Sequence, residues 1–205
     1  MNTFTKRGEI AGPVGPLSVA VDTTTDVPQR GLAVVCHPHP LQGGTMDNKV
    51  VTTIARALTQ RGWRVVRFNY RGVGGSAGAW DEGRGEVDDA MAVIAAHRVA
   101  GEALVLGGFS FGGYIAASAA AKLPEGEKAW RLVLVAPSTV KHTVPPVPDD
   151  TLLIHGEADD VVPLSASMDW ARPQALPVVV VPGAGHFFHG QLMLLKSLVL
   201  RNFAE

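Results

Sequence analysis

Apolar positions run through this chain in two alternating rhythms. Short continuous runs, such as Leu32–Cys36 (LAVVC), predict strands buried on both faces. Longer stretches with apolar residues every three or four positions predict helices. Leu17–Val21 alternates as a half-exposed strand would, which places it at an antiparallel edge after a turn-rich beginning. Asp47 or Asn48 can cap a helix striped by Val51, Ile54 and Leu58 and stopped by Gly62. A strand over Arg64–Phe68 follows, then a Gly-rich loop from Arg71 to Gly85 and a helix striped by Val87, Met91 and Ile94.

The second half repeats the scheme. Strands are expected at Ala103–Gly107, Leu132–Val135, Thr151–His155 and Val178–Val181, the last three read as buried. The small-residue helix Gly112–Lys122 is closed by Pro124, and a short helical piece surrounds Ser165–Ala171. A final helix over His189–Phe203, apolar almost all round, is expected to be well buried. Strand–helix alternation of this kind builds a mostly parallel sheet with helices on both faces, an α/β fold. No repeat or dividing linker is visible, and residues 1–205 read as one domain. Pro145, Pro146 and Pro148 stiffen a loop that enters a strand.

Composition narrows the function classes. Hydrophobic residues make up 46% of 205 residues and charged ones 18%, which excludes a disordered chain. Eighteen Lys and Arg against nineteen Asp and Glu leave no cationic excess to neutralise phosphates, so nucleic acid is not an expected partner. The one cysteine, Cys36, excludes an internal disulfide and fits a reducing compartment. Residues 1–16 lack the apolar core of a signal peptide, and no apolar run approaches the roughly 18 residues a membrane span needs. A cytoplasmic protein without a membrane partner is expected.

Gly108-Phe109-Ser110-Phe111-Gly112 fits G-x-S-x-G, and it follows a strand and opens a helix. In such an elbow a serine sits on a strained turn above the sheet, and the flanking glycines let strand and helix approach. The N–H of Phe111 then faces a developing oxyanion. A serine hydroxyl needs a base. Asp159 and His186 each follow a strand, and the order Ser110, Asp159, His186 is that of the triad which accompanies this elbow. Asp160 and His189 are local rivals, although Gly183 and Gly185 bracket the approach to His186.

Three further stretches make the chain resemble an α/β-hydrolase, in particular the small bacterial serine hydrolases with a His-Pro-His-Pro loop. They are His37-Pro38-His39-Pro40 followed by Gly43-Gly44 and Asn48; Tyr70-Arg71-Gly72-Val73-Gly74-Gly75-Ser76, with one inserted glycine; and His155-Gly156 through Asp159 to Val162-Pro163. The resemblance spans roughly residues 32–200 and implies an α/β-hydrolase fold. Its acid-loop pattern favours Asp159 over Asp160, and it implies a second oxyanion donor after Cys36. Prolines carry no N–H, which leaves the backbone of His39 or Leu41, and the family's usual start favours His39.

Two other motifs are set aside. His37 and His39 have no evident third ligand for a metal, and their rings read as turn-building. Gly72 to Ala77 fits G-x-G-x-x-A, but no helix opens on it and no acidic residue follows at the required distance, so no nucleotide cofactor is expected. In many relatives of this fold a helical cap precedes the acid strand. Here only residues 136–150 are available, four of them proline, so no cap domain is expected.

Candidate substrate walls are Leu41, Phe111, Val162, Phe187 and Phe188. The expected activity is hydrolysis of small or short-chain carboxylic esters or thioesters through an acyl-enzyme. Acyl transfer by the same residues, or a non-catalytic binding module on the scaffold, are the alternatives. Oligomeric state is not legible.

Overall fold

The computed structural model describes residues 3–204. Eight strands form one sheet: β1 (Thr3–Gly12), β2 (Gly15–Thr24), β3 (Gly31–Cys36), β4 (Trp63–Phe68), β5 (Leu104–Phe109), β6 (Arg131–Val135), β7 (Leu152–Gly156) and β8 (Val178–Val181). Their spatial order is β1-β2-β4-β3-β5-β6-β7-β8. The pairs β1–β2 and β2–β4 are antiparallel and all others parallel. The α-helices among the described residues are α1 (Lys49–Gln60), α2 (Arg84–His97), α3 (Phe111–Lys122), α4 (Leu164–Ala171) and α5 (Leu192–Asn202).

The two-residue period of the strands divides the core. Leu32, Val34, Leu104, Leu106, Leu132 and Leu134 pack on one face with Ile115 of α3 and Val93 of α2. Ala33, Val35, Val105, Val133 and Val135 face the other way, against Ile54 and Leu58 of α1 and Val199 of α5. Successive side chains of one strand therefore supply both layers, which is why these runs are apolar throughout. Asn48, rather than Asp47, caps α1: its side-chain oxygen accepts from the N–H groups of Val50 (2.9 Å) and Val51 (3.5 Å). Asp47 instead pairs with Arg7 and Arg67.

Several expectations need correction. The turn-rich start contains a complete strand, β1, whose residues are almost all exposed. It takes the edge position expected for Leu17–Val21, which lie inside β2. The valine run of β8 is not fully buried, because it forms the opposite edge and Val180 is 39% exposed. The last helix is shorter than the apolar run and only half covered. Leu195 and Val199 are buried, whereas Met193 is 73% exposed and Leu194 43%.

The strand order reverses between β3 and β5, so the loops that leave their carboxyl ends diverge and open a crevice. Ser110 directly follows β5, and Asp159 and His186 lie in the loops after β7 and β8. Parallel pairing brings all three to the same rim. The segment between β6 and β7 carries no helix.

Candidate active site

Ser110 stands between β5 and α3 with φ 56° and ψ −119°, a backbone conformation that L residues rarely adopt. Its surroundings hold it there. Its N–H donates to the Val135 carbonyl (2.9 Å), and its carbonyl accepts from Gly113 (2.9 Å) and Ser138 (3.1 Å). A Cβ on Gly108 would overlap the Gly112 carbonyl, and one on Gly112 would overlap the Cys36 carbonyl. The two motif glycines thus answer to close backbone approach at this turn.

His186 Nε2 lies 3.0 Å from Ser110 Oγ, and His186 Nδ1 lies 2.7 Å from Asp159 Oδ2. A carboxylate only accepts, so the imidazole proton sits on Nδ1 and Nε2 is free to accept from the serine hydroxyl. The ring of His186 packs on Phe109, with centroids 4.8 Å apart, and edge-on against Phe187 at 5.1 Å. All three polar side chains are buried; Ser110 retains 8% exposure.

Asp159 is well supplied with donors. Its Oδ1 accepts from Val161 N–H (2.9 Å) and Val162 N–H (2.8 Å). Burial pushes its pKa up, but hydrogen bonds from His155, His186 and the Val162 N–H outweigh burial and hold it well below the usual carboxylate range. The rivals lie elsewhere: Asp160 and His189 are both exposed, and the ring of His189 lies against Phe187 with centroids 5.8 Å apart.

The loop after β3 closes the other side of Ser110. His37 is fully buried, donates through Nδ1 to the Pro38 carbonyl (2.7 Å) and accepts through Nε2 from Tyr70 N–H (3.2 Å). Tyr70 Oη returns a bond to the His37 carbonyl (3.1 Å). Burial, only partly offset by the Pro38 carbonyl, pushes the His37 pKa down to about 3, so the ring is a neutral brace. The chain then turns at His39, whose ring packs at a tilt against Trp80 (4.6 Å) and Phe111 (5.2 Å).

A shallow cavity of about 20 Å³ lies over Ser110, with room for little more than one water. Its walls include His39, Phe111, Val162 and, from the segment after β6, Ser138 and Lys141. Of the expected walls, Phe111 and Val162 are there. Leu41 is not; it is 69% exposed and borders a separate groove with Trp80 and Arg71. Phe187 is 44% exposed and packs on the His186 ring instead of lining the cavity. Phe188 is core, with no exposure. His39 therefore borders Ser110 and Leu41 does not. Phe111 is the first residue of α3, so helical bonding leaves its N–H without an intrahelical partner.

Sequence reading missed Ser138, Lys141, Trp80 and the packing role of Phe109. Only the position of residues 138 and 141 just past a strand end hinted at the first two. Among the described residues, no group of three or more His, Cys, Asp or Glu side chains converges where a metal could be held. No helix among them is long and apolar enough to cross a membrane.

Comparison with known proteins places this geometry in context. A family model described as serine aminopeptidase, S33, matches residues 29–149. An uncharacterized protein of Rickettsia prowazekii is 32% identical, over 86% of this chain and 79% of that one. An α/β serine hydrolase without a lid from Xanthomonas campestris superposes with a TM-score of 0.88 at 41% identity, covering 100% of this chain and 95% of the other. An α/β serine hydrolase homologue from Coxiella burnetii gives 0.87 at 40% identity, covering 96% of each.

Proposed function

Because the chain belongs to the family described as serine aminopeptidase, S33, and is built like the α/β serine hydrolases without a lid, we propose that it cleaves small or short-chain carboxylic esters or thioesters through an acyl-enzyme. The observation that carries this reading is the unbroken hydrogen-bond chain from Ser110 Oγ through His186 to Asp159, at 3.0 and 2.7 Å.

In this reading His186 takes the Ser110 proton as Oγ attacks the acyl carbon, and Asp159 stabilises the resulting imidazolium. The oxyanion of the tetrahedral intermediate is met by the backbone N–H groups of Phe111 and His39. Collapse expels the alcohol or thiol, which receives its proton from His186. Water, activated by the same ring, then releases the acid and restores Ser110.

Acyl-chain selectivity follows from the cavity. A volume of about 20 Å³ encloses no long chain, so each added methylene lies against open surface and gains little burial. Catalytic efficiency is therefore expected to be higher on p-nitrophenyl butyrate than on the dodecanoate, and the opposite order would refute the short-chain reading. The hydrolase reading itself is tested with a fluorophosphonate probe, which should label the wild type and not Ser110→Ala. A wild type that stays unlabelled sinks it. A cytoplasmic site of action belongs to the same reading, supported by the lone, unpaired Cys36.

A further inference from the structure

The candidate acid is held by one more imidazole than the proposed reaction uses. His155, in β7, is fully buried, and its Nε2 lies 2.8 Å from the Val162 carbonyl oxygen and 3.4 Å from Asp159 Oδ2. Both neighbours are acceptors, so Nε2 carries the proton. The opposite nitrogen, Nδ1, is buried with no hydrogen-bond partner among the described residues. A buried unpaired nitrogen is unfavourable, and an aliphatic side chain would fill this strand position without it. The ring's distinctive contribution is the N–H aimed at the acid loop.

We propose that His155 is a positioning residue, whose Nε2–H, bonded to the Val162 carbonyl and 3.4 Å from Asp159 Oδ2, fixes the acid loop and its carboxylate against His186; this rests on the reading of Asp159 as the triad acid. The contacts divide the work at Asp159. Oδ1 is fixed by the Val161 and Val162 N–H groups. Oδ2 is bonded by His186 from the loop after β8 (2.7 Å) and approached by His155 from beneath (3.4 Å). The neighbouring Glu157 and Asp160 are exposed, and Glu157 accepts from Gly183 N–H (2.9 Å), so among the described residues these two rings are the ionisable groups that act on the carboxylate. Because His155 draws on the charge of Oδ2, its removal leaves more of that charge to His186 and favours the imidazolium.

The test compares His155→Leu and His155→Gln with the wild type in the full chain, by thermal unfolding and by the pH profile of kcat/KM on p-nitrophenyl butyrate. The leucine variant removes the orphaned Nδ1 but leaves the Val162 carbonyl without its donor, so its melting temperature should fall by several degrees while the protein stays folded at assay temperature. Its kcat should fall between about tenfold and 100-fold with KM nearly unchanged, as misplacement of a catalytic group does. The acidic limb of its profile should move to higher pH. Glutamine restores an N–H donor and should recover much of the turnover and the wild-type limb. Wild-type turnover in the leucine variant, or a loss that merely tracks loss of folded protein with the limb unmoved, overturns the proposal.

A measurement on the wild type decides the matter even if the leucine variant does not fold. Nitrogen-15 NMR of labelled histidines should show His155 protonated at Nε2, with a slowly exchanging proton whose shift changes as pH crosses the acidic limb. Protonation at Nδ1, or a signal indifferent to that transition, refutes this role. An ester-inactive wild type that still shows this coupling would remove the proposed hydrolysis and leave the positioning role standing.

Discussion

Replacing Asp159 by asparagine is a sharper perturbation here than a simple loss of charge, because the structure dictates which way the new amide points. Oδ1 accepts from two backbone N–H groups, those of Val161 and Val162, at 2.9 and 2.8 Å. An NH2 group cannot occupy that position without facing two donors, so the amide oxygen takes it. The NH2 is thereby forced into the place of Oδ2, against His186 Nδ1 (2.7 Å) and beside His155 Nε2 (3.4 Å). To accept from it, His186 must move its proton from Nδ1 to Nε2. Nε2 then presents a hydrogen to Ser110 Oγ and cannot act as the base. The expected loss in kcat/KM is about 10³–10⁴-fold, or roughly 4–5.5 kcal/mol at about 1.4 kcal/mol per decade. The assay is initial-rate hydrolysis of p-nitrophenyl butyrate, with Asp160→Asn measured beside it. Asp160 is exposed, so that variant should keep most of its activity. An Asp159→Asn enzyme within tenfold of wild type, or a large loss in Asp160→Asn, would show that the tautomer reasoning is wrong.

The same carboxylate links stability to pH. Because folding lowers its pKa, its stabilising contribution is complete above the unfolded value of about 4 and is lost as pH falls toward the lower folded value; the gap in denaturation midpoint between wild type and Asp159→Asn should therefore narrow below about pH 4, and a gap that widens there contradicts the sign. Gly112→Ala should lower stability by about 1–3 kcal/mol, since its methyl would meet the Cys36 carbonyl and force strand and helix apart; an unchanged unfolding curve would mean that the elbow tolerates the shift. His37→Leu should leave Tyr70 N–H and the Pro38 carbonyl unpaired and cost about 1–3 kcal/mol for each group that stays dry. Because that ring is already neutral above about pH 3, the wild type should show no transition in activity between pH 5 and 9 assignable to it, which histidine NMR can check.

The chain's own chemistry carried the architecture a long way. LAVVC, the valine and leucine runs of β5 to β7 and the stripe of α1 are local signals, because a strand buried on both faces must be apolar at every position and an amphipathic helix must repeat near 3.6. The elbow was legible for the same reason: Gly108 and Gly112 answer to backbone contacts inside one strand–turn–helix unit. Burial at the margins was not legible. The valines of β8 and the leucines of α5 resemble their core counterparts, and only the absence of a covering layer at the sheet edge and on the outer face of α5 leaves Val180 and Met193 exposed. The mostly polar strand β1 offers little apolar pattern, since it is held chiefly by pairing with β2, with Ile10 its contact to the core.

The site divides in the same way. Residue types and their order along the chain named Ser110, Asp159 and His186 as candidates, but their 3.0 and 2.7 Å contacts exist only because parallel pairing delivers three distant loops to one rim. Tertiary structure also decided that Leu41 turns outward while His39 faces the serine, and that a second histidine reaches the acid from below. Loop direction and neighbour contact depend on groups remote in sequence, and no local pattern encodes them.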